Sequence, residues 1–161
     1  TESLDITTII TTNSCLDCNL RDIILRLQNL SGVNFEGSVF KGAIMASTDF
    51  SNANLSNTSL ESTDIRGAIF EGADLTGADI RFAENDLCTN FFDANLTGAL
   101  WGNGCSCSNA NCSNCEGVPM SQELLESDEC FIIEGPIVDD PGGPIVFPDD
   151  NPDDAPIAFD N

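Results

Sequence analysis

The chain has 161 residues, 41% of them hydrophobic, which bounds it to one folded body plus an appendage. With 27 acidic and 5 basic side chains its net charge is −22, which argues against nucleic acid or an anionic membrane as a direct ligand, because phosphate contacts need Lys and Arg. No apolar run approaches the roughly 18 to 20 residues that span a bilayer, so membrane insertion is not expected.

Residues 1–12 form the first predicted element. The stretch "SLDITTIITT" is rich in β-branched residues and is expected to cap the folded body, either as a strand or as a short helix. The chain opens at Thr1 rather than Met, which fits a precursor trimmed of its leader. Eight cysteines, an even number in a small chain, favour an oxidising compartment, so the protein is expected to be exported, to an extracellular, periplasmic or lumenal space.

Residues 13–117 carry an internal repeat. A large apolar residue recurs every five positions, at Leu20, Leu25, Leu30, Phe35, Phe40, Met45, Phe50, Leu55, Leu60, Ile65, Phe70, Leu75 and Ile80. Two positions before each centre the residue is usually small (Ala43, Thr48, Ala53, Thr58, Thr63, Ala68, Ala73, Ala78), and Asn or Asp often stands between them. A period of five fits neither the 3.6 of a helix nor the 2 of a strand, so the chain must turn a corner once per unit.

In these units, plain in "AIFEG ADLTG ADIRF", the sequence resembles the pentapeptide-repeat family. That resemblance implies an all-β fold, a right-handed quadrilateral β-helix (a β-solenoid) with four units per coil and about five coils, on the order of 25 Å tall at the spacing of paired strands. It also implies that the central residue and the small residue two before it point into the lumen. The 20-residue columns agree: Cys15, Phe35, Leu55 and Leu75 in one, and Leu30, Phe50 and Phe70 in another, are all compatible with a lumen. "AENDLC" breaks the phase by one residue, so a bulge at 85–88 is expected, after which Phe91, Leu96 and Trp101 resume beside Phe70, Leu75 and Ile80. Each inward Leu or Phe contributes roughly 1.5 to 3 kcal/mol against roughly 1 to 2 kcal/mol of backbone entropy per ordered residue. A unit is therefore stable only inside its stack, and the ends are the weak points.

The cysteines fall at those ends. In the implied geometry Cys15 and Cys18 both point inward across one corner of the first coil, and Cys112 and Cys115 repeat the relation if "CSCSN ANCSN CEGVP" is a last, slightly shifted coil. Local disulfides within each C-x-x-C pair are expected to tie off the terminal coils, with Cys88, Cys105, Cys107 and Cys130 supplying two further bridges. Such pairs also suit zinc or an iron–sulfur cluster, but they lie far apart in the stack and the chain has no His, so no metal centre at the cysteines and no cofactor is expected. Without His to serve as base, and with no P-loop or dinucleotide fingerprint, no enzymatic activity is expected either. Asn29, Asn54, Asn57, Asn95 and Asn111 each begin N-x-[ST]; the repeat generates that pattern by itself, and glycans on an exported surface are the competing reading.

Residues 118–133 read as a C-terminal cap, a short helix in "MSQELLESDE" that Ser121 could cap, placing Leu124 or Leu125 over the last coil. Residues 134–161 form an acidic, Pro-rich segment, and 118–161 together hold 12 acids and no base. Composition alone describes a solvated, disordered tail. Yet three anchors, "GPIVDD", "GPIVFPDD" and "APIAFDN", place Pro136, Ile137, Val138, Pro144, Ile145, Val146, Phe147, Pro156, Ile157 and Phe159 between acidic spacers, a pattern of apolar contacts wanting a groove. In an extended, polyproline-like path the arm could reach about 85 Å, far enough to dock on a neighbouring copy. The resulting expectation is an extracellular helical filament of self-associated subunits, with weak calcium binding at Asp139, Asp140, Asp149, Asp150, Asp153 and Asp154 a further expectation. The competing readings are an acidic DNA mimic that binds a topoisomerase, as some cytosolic members of the resembled family do, and a monomeric periplasmic or lumenal protein.

Overall fold

The computed structural model describes residues 6–86, 88–102 and 104–115. The expected C-terminal cap (118–133) and arm (134–161) lie outside them. Element α1 is Ile6–Thr12, followed much later by three short strands, β1 (Asp79–Arg81), β2 (Leu100–Gly102) and β3 (Cys105–Ser106). Between α1 and β1 the chain winds so that residues 20 apart pair in parallel, from Ser14 with Asn34 through Asn54 with Asp74 to Asp64 with Glu84.

Each unit joins two layers of this winding. Phe35 N–H donates to the Asn54 carbonyl at 2.8 Å, and Asn54 N–H donates back to the Val33 carbonyl at 3.0 Å. Corners are β-turns closed from the third residue after a centre, as in Ser38 N–H to the Phe35 carbonyl at 2.9 Å. The second residue after each centre has positive φ, at Asp17, Asp22 and Leu27, then Gly32, Gly37 and Gly42, and onward to Phe82. Positive φ at a turn's third residue is where Gly and Asn are favoured, which explains the unit's closing Gly.

The inner surface is apolar and filled. Phe35, Phe40, Met45, Phe50, Leu55, Leu60, Ile65, Phe70, Leu75, Phe91 and Leu96 are fully buried, and so are the small residues two before most of them. The hydroxyls among those small residues are all satisfied. Ser38 and Thr48 donate to the carbonyls of Cys15 and Leu25 one layer away, at 2.6 and 2.7 Å, and Thr58 and Thr63 donate within their own layer to Leu55 and Leu60. A lumen can thus accept Ser or Thr in place of Ala without leaving an unpaired polar group.

The phase break falls where it was expected. Asp64 pairs with Glu84 at a separation of 20, whereas Ile69 pairs with Asn90 and Asp74 with Asn95 at 21. Beyond it, β1 and β2 pair in parallel with Ile80 opposite Trp101. The opening segment resolves to helix rather than strand, and α1 seats Ile9, 1% exposed, on the core.

One expectation is overturned. Residues 105–115 do not continue the winding as a last, shifted coil; β3 pairs antiparallel to β2, Trp101 opposite Cys105. The return continues beyond the strands, with Leu96 N–H donating to the Ala110 carbonyl and Cys107 N–H to that of Ala99, each at 2.8 Å. Gly102 and Gly104, both at positive φ, make the reversal possible. The edge that an ordinary coil would leave open is paired by the chain's own return.

Candidate functional site

Outward positions are occupied by self-contained polar groups. Asn or Asp before a centre accepts from the backbone N–H two residues on, as Asn34 does from Glu36 and Asn54 from Ser56. Where that second residue is Ser or Thr, its hydroxyl donates to the same oxygen: Ser31 to Asn29, Ser56 to Asn54, Thr97 to Asn95. Three of the five N-x-[ST] sequences therefore serve as intra-unit turn locks. Asn57 and Asn111 are exposed.

Few cations are present, and most pair along the faces. Lys41 bridges layers to Glu61 at 2.9 Å. Arg66 and Arg81 each grip the carboxylate two residues earlier through two nitrogens, Arg81 to Asp79 at 2.8 and 2.7 Å. The side-chain hydrogen bonds from Arg81 hold Asp79 below the usual carboxylate value; desolvation opposes them, and the Arg81 backbone N–H adds to them.

The two ends carry the remaining chemistry. At the first, a disulfide joins Cys15 to Cys18, the local pairing anticipated. In the same first coil several outward side chains are apolar and exposed, Leu16 at 54%, Ile24 at 60% and Leu27 at 38%, with Ile10 of α1 at 46%. A sequence signal was present for two of the three: Leu27 falls where the other units hold Asp, Asn, Ser or Gly until Phe82, and Leu16 falls where they hold charged residues, Ser, Thr or Ala, whereas the position of Ile24 also takes Val39, Ile44 and Ile69. Phe82 is the other large apolar residue exposed among the described residues.

At the far end the predicted Cys112–Cys115 pairing does not occur. Cys107 bonds Cys112, and Cys105 bonds Cys115. A further turn within 105–115, closed by Cys112 N–H to the Asn109 carbonyl at 3.1 Å and by Asn114 to Ser106 and Ser108, is the reason, because it sets 105–107 beside 112–115 so that each disulfide crosses between them. Cys105 and Cys107 thus close this end rather than bridging to the bulge. Among the described residues no cysteine is free. Asn114 sits inside the loop. Its Oδ1 accepts from Ser108 N–H and Oγ–H, and its Nδ2 donates to the Ser106 carbonyl at 2.8 Å and approaches Sγ of Cys105 and Cys115 at 3.7 Å. The only sequence sign of the reversal after Trp101 is the glycine pair of "WGNGC", Gly102 and Gly104, which permits positive φ. Cys130 and the arm residues Pro136–Phe159 lie outside the described residues.

No helix among the described residues is long and apolar enough to cross a membrane. The family model "Pentapeptide repeats (8 copies)" matches residues 18–57 and 43–81. Comparison with curated proteins returns no match. Among solved structures, a pentapeptide repeat protein (Rfr23) from the cyanobacterium Cyanothece 51142 is 24% identical over 59% of this chain and 84% of its own, with a TM-score of 0.31. A pentapeptide repeat protein from the Arabidopsis thaliana thylakoid lumen is 25% identical over 56% of this chain and 66% of its own, at 0.29. HetL, a pentapeptide repeat protein involved in heterocyst differentiation regulation in Nostoc sp. strain PCC 7120, is 25% identical over 62% of this chain and 42% of its own, at 0.31.

Proposed function

Because this chain belongs to the pentapeptide-repeat family through its units over residues 18–81, we propose that it is a non-enzymatic structural protein, an exported subunit that assembles into an extracellular filament. In this reading residues 13–117 form a right-handed quadrilateral β-helix of about five coils, and the arm at 134–161 docks on a neighbouring copy. The observation that carries it is the set of outward apolar residues in α1 and the first coil, Ile10, Leu16, Ile24 and Leu27. One end is capped by α1, which seats Ile9 on the core, and at the other the antiparallel return pairs β2, which disfavours end-to-end stacking and favours side-chain docking as the route. The Ile, Val and Phe anchors of the arm match those side chains in chemistry, and the disulfides suit an oxidising space. An arm that passes from one copy to the next makes a heterologous contact, which propagates as a filament when its rotation does not close.

Sedimentation and electron microscopy of three proteins in one buffer test this reading. Intact chain should assemble, a deletion of 134–161 should stay folded but monomeric, and Ile145→Ser, Val146→Ser and Phe147→Ser together should weaken assembly without altering charge. Fibres from the truncated protein, or an intact protein that stays monomeric at high concentration, would overturn it.

A further inference from the structure

We propose that Cys105, Cys107, Cys112 and Cys115, once reduced, form a four-thiolate site for zinc(II), so that the C-terminal hairpin has two alternative staples, a disulfide pair or a metal ion. The Sγ atoms of Cys107, Cys112 and Cys115 all lie within 4.8 Å of one another, and Cys105 Sγ is bonded to that of Cys115, so four sulfurs share one small volume. In a tetrahedral zinc site with bonds of about 2.3 Å, the sulfurs stand about 3.8 Å apart, so small side-chain rotations suffice. The spacing C-x-C-x4-C-x2-C puts two ligands on each limb of the hairpin, as a metal that clamps two limbs requires. Hydrogen bonds independent of sulfur hold those limbs together, Asn114 Nδ2 donating to the Ser106 carbonyl at 2.8 Å and Ser108 N–H donating to Asn114 Oδ1 at 2.9 Å, while Gly98 N–H to the Cys107 carbonyl and Leu96 N–H to that of Ala110, each at 2.8 Å, pin the outgoing limb to the coil. The site therefore keeps its shape when the disulfides open.

A second observation points the same way. The Asn114 amide directs Nδ2 at Sγ of both Cys105 and Cys115, and the Asn109 and Ser108 contacts fix the loop around it. Such donors gain little from a neutral disulfide but stabilise thiolates, which is the role of outer-shell partners in metal sites. Soft, four-sulfur coordination selects zinc over calcium or magnesium. The chemistry balances. Each disulfide takes two electrons from a phosphine, which leaves as its oxide carrying the oxygen of a water molecule, and gives two thiols; the four thiols then release four protons as zinc(II) binds.

The test uses the full chain reduced with a water-soluble trialkylphosphine, freed of excess reagent without air, and titrated with cobalt(II) and then zinc(II). Tetrathiolate cobalt bands should saturate at one equivalent and vanish on adding zinc. They should persist in a Cys15→Ser, Cys18→Ser variant, disappear in Cys107→Ser, and need about tenfold more cobalt in Asn114→Ala. Without any substitution, zinc should shield Cys105, Cys107, Cys112 and Cys115 from alkylation while leaving Cys15 and Cys18 reactive, which guards against a variant that fails to fold. Absence of the bands, their survival in Cys107→Ser, or equal alkylation of all these cysteines would overturn the proposal.

Discussion

The rings of Phe70 and Phe91 stack at 4.7 Å with 7° between their planes, although 21 residues separate them where the preceding columns count 20. Phe50 stacks on Phe70 in the same way at 5.3 Å, so one aromatic column runs straight through the phase break. The extra residue is absorbed outside, not inside. Corner N–H groups normally donate to a carbonyl of the next layer, as Gly72 does to Phe92; at Gly67 the acceptor is instead the Asp86 carboxylate at 2.9 Å. Asp86 also accepts from Cys88 N–H, and its own N–H donates to Thr89 Oγ1, each at 3.0 Å.

Phe91→Ala should cost about 3 to 5 kcal/mol, because it removes a buried ring from a column that cannot collapse inward. Chemical denaturation read by far-UV circular dichroism measures this, and a loss under about 1 kcal/mol would mean that the winding ends before the phase break.

Asp86→Ala should cost about 0.5 to 1.5 kcal/mol by removing the acceptor of Gly67 N–H and of the inserted loop. Asp86→Asn, which keeps an oxygen at the same place, should retain most of that stability. Hydrogen exchange at Gly67 would report the difference directly.

The repeat was legible because its five-residue period is dictated by a steric demand that recurs unchanged: an inward side chain, then a turn with positive φ. The phase break was legible for the same reason, since Phe91, Leu96 and Trp101 can be lumenal only if one residue is looped out. The chain reversal after Trp101 was legible only in the glycines of "WGNGC", and Cys-x-Cys and Cys-x-x-Cys look alike on either a continuing or a returning strand. Pairing depends on which limb lies opposite, a tertiary fact. The exposed apolar set was readable only in part: Leu16 and Leu27 depart from the polar or glycine pattern of their positions, but Ile24 shares its position with Val39, Ile44 and Ile69, so its exposure depends on its place in the first coil and not on residue type.

The corner positions predict opposite effects for two substitutions. Gly77 has φ +68, and a Cβ there would meet Asn57 Oδ1 at 2.8 Å, so Gly77→Ala should cost about 1 to 2 kcal/mol from backbone strain alone and more from the contact. Adding Asn57→Ala should recover only the contact part, seen as a positive coupling in a double-mutant cycle. Phe82 occupies the equivalent position with φ +60 while 65% exposed. Phe82→Gly relieves the strain, loses little burial and should stabilise by roughly 0.5 to 1 kcal/mol after the entropy of the unfolded chain is counted. Destabilisation by Phe82→Gly would show that the ring packs on something beyond the described residues.

Asp79 titrates below its ordinary value of 3.8 because Arg81 holds its carboxylate in the fold. A depressed folded value means that the stabilisation is present above pH 3.8 and is lost as pH falls through the folded value. The stability difference between the wild type and Asp79→Asn should thus be flat from neutral pH down to about 4 and shrink below it. Denaturation curves at stepped pH check this, and a difference that stays constant into stronger acid would assign the pair no role in folding.

The apolar patch and the arm make a joint prediction that neither makes alone. Leu16, Ile24 and Leu27 are exposed, so Leu16→Ser, Ile24→Ser or Leu27→Ser should leave melting almost unchanged, within about 0.5 kcal/mol, as surface substitutions away from the core do. If these side chains receive the arm, the triple variant should nevertheless fail to assemble, as the deletion of 134–161 does. Mixing separates donor from acceptor. A patch variant still carries its arm and a truncated chain still carries its patch, so the two should associate with each other while neither associates with itself. Because the truncated chain has no arm to extend the contact, the product should stop at pairs, which sedimentation resolves from both monomer and filament. Fibres from the patch variant alone would place the receiving surface elsewhere, and failure of the mixed proteins to pair would show that arm and patch are not partners.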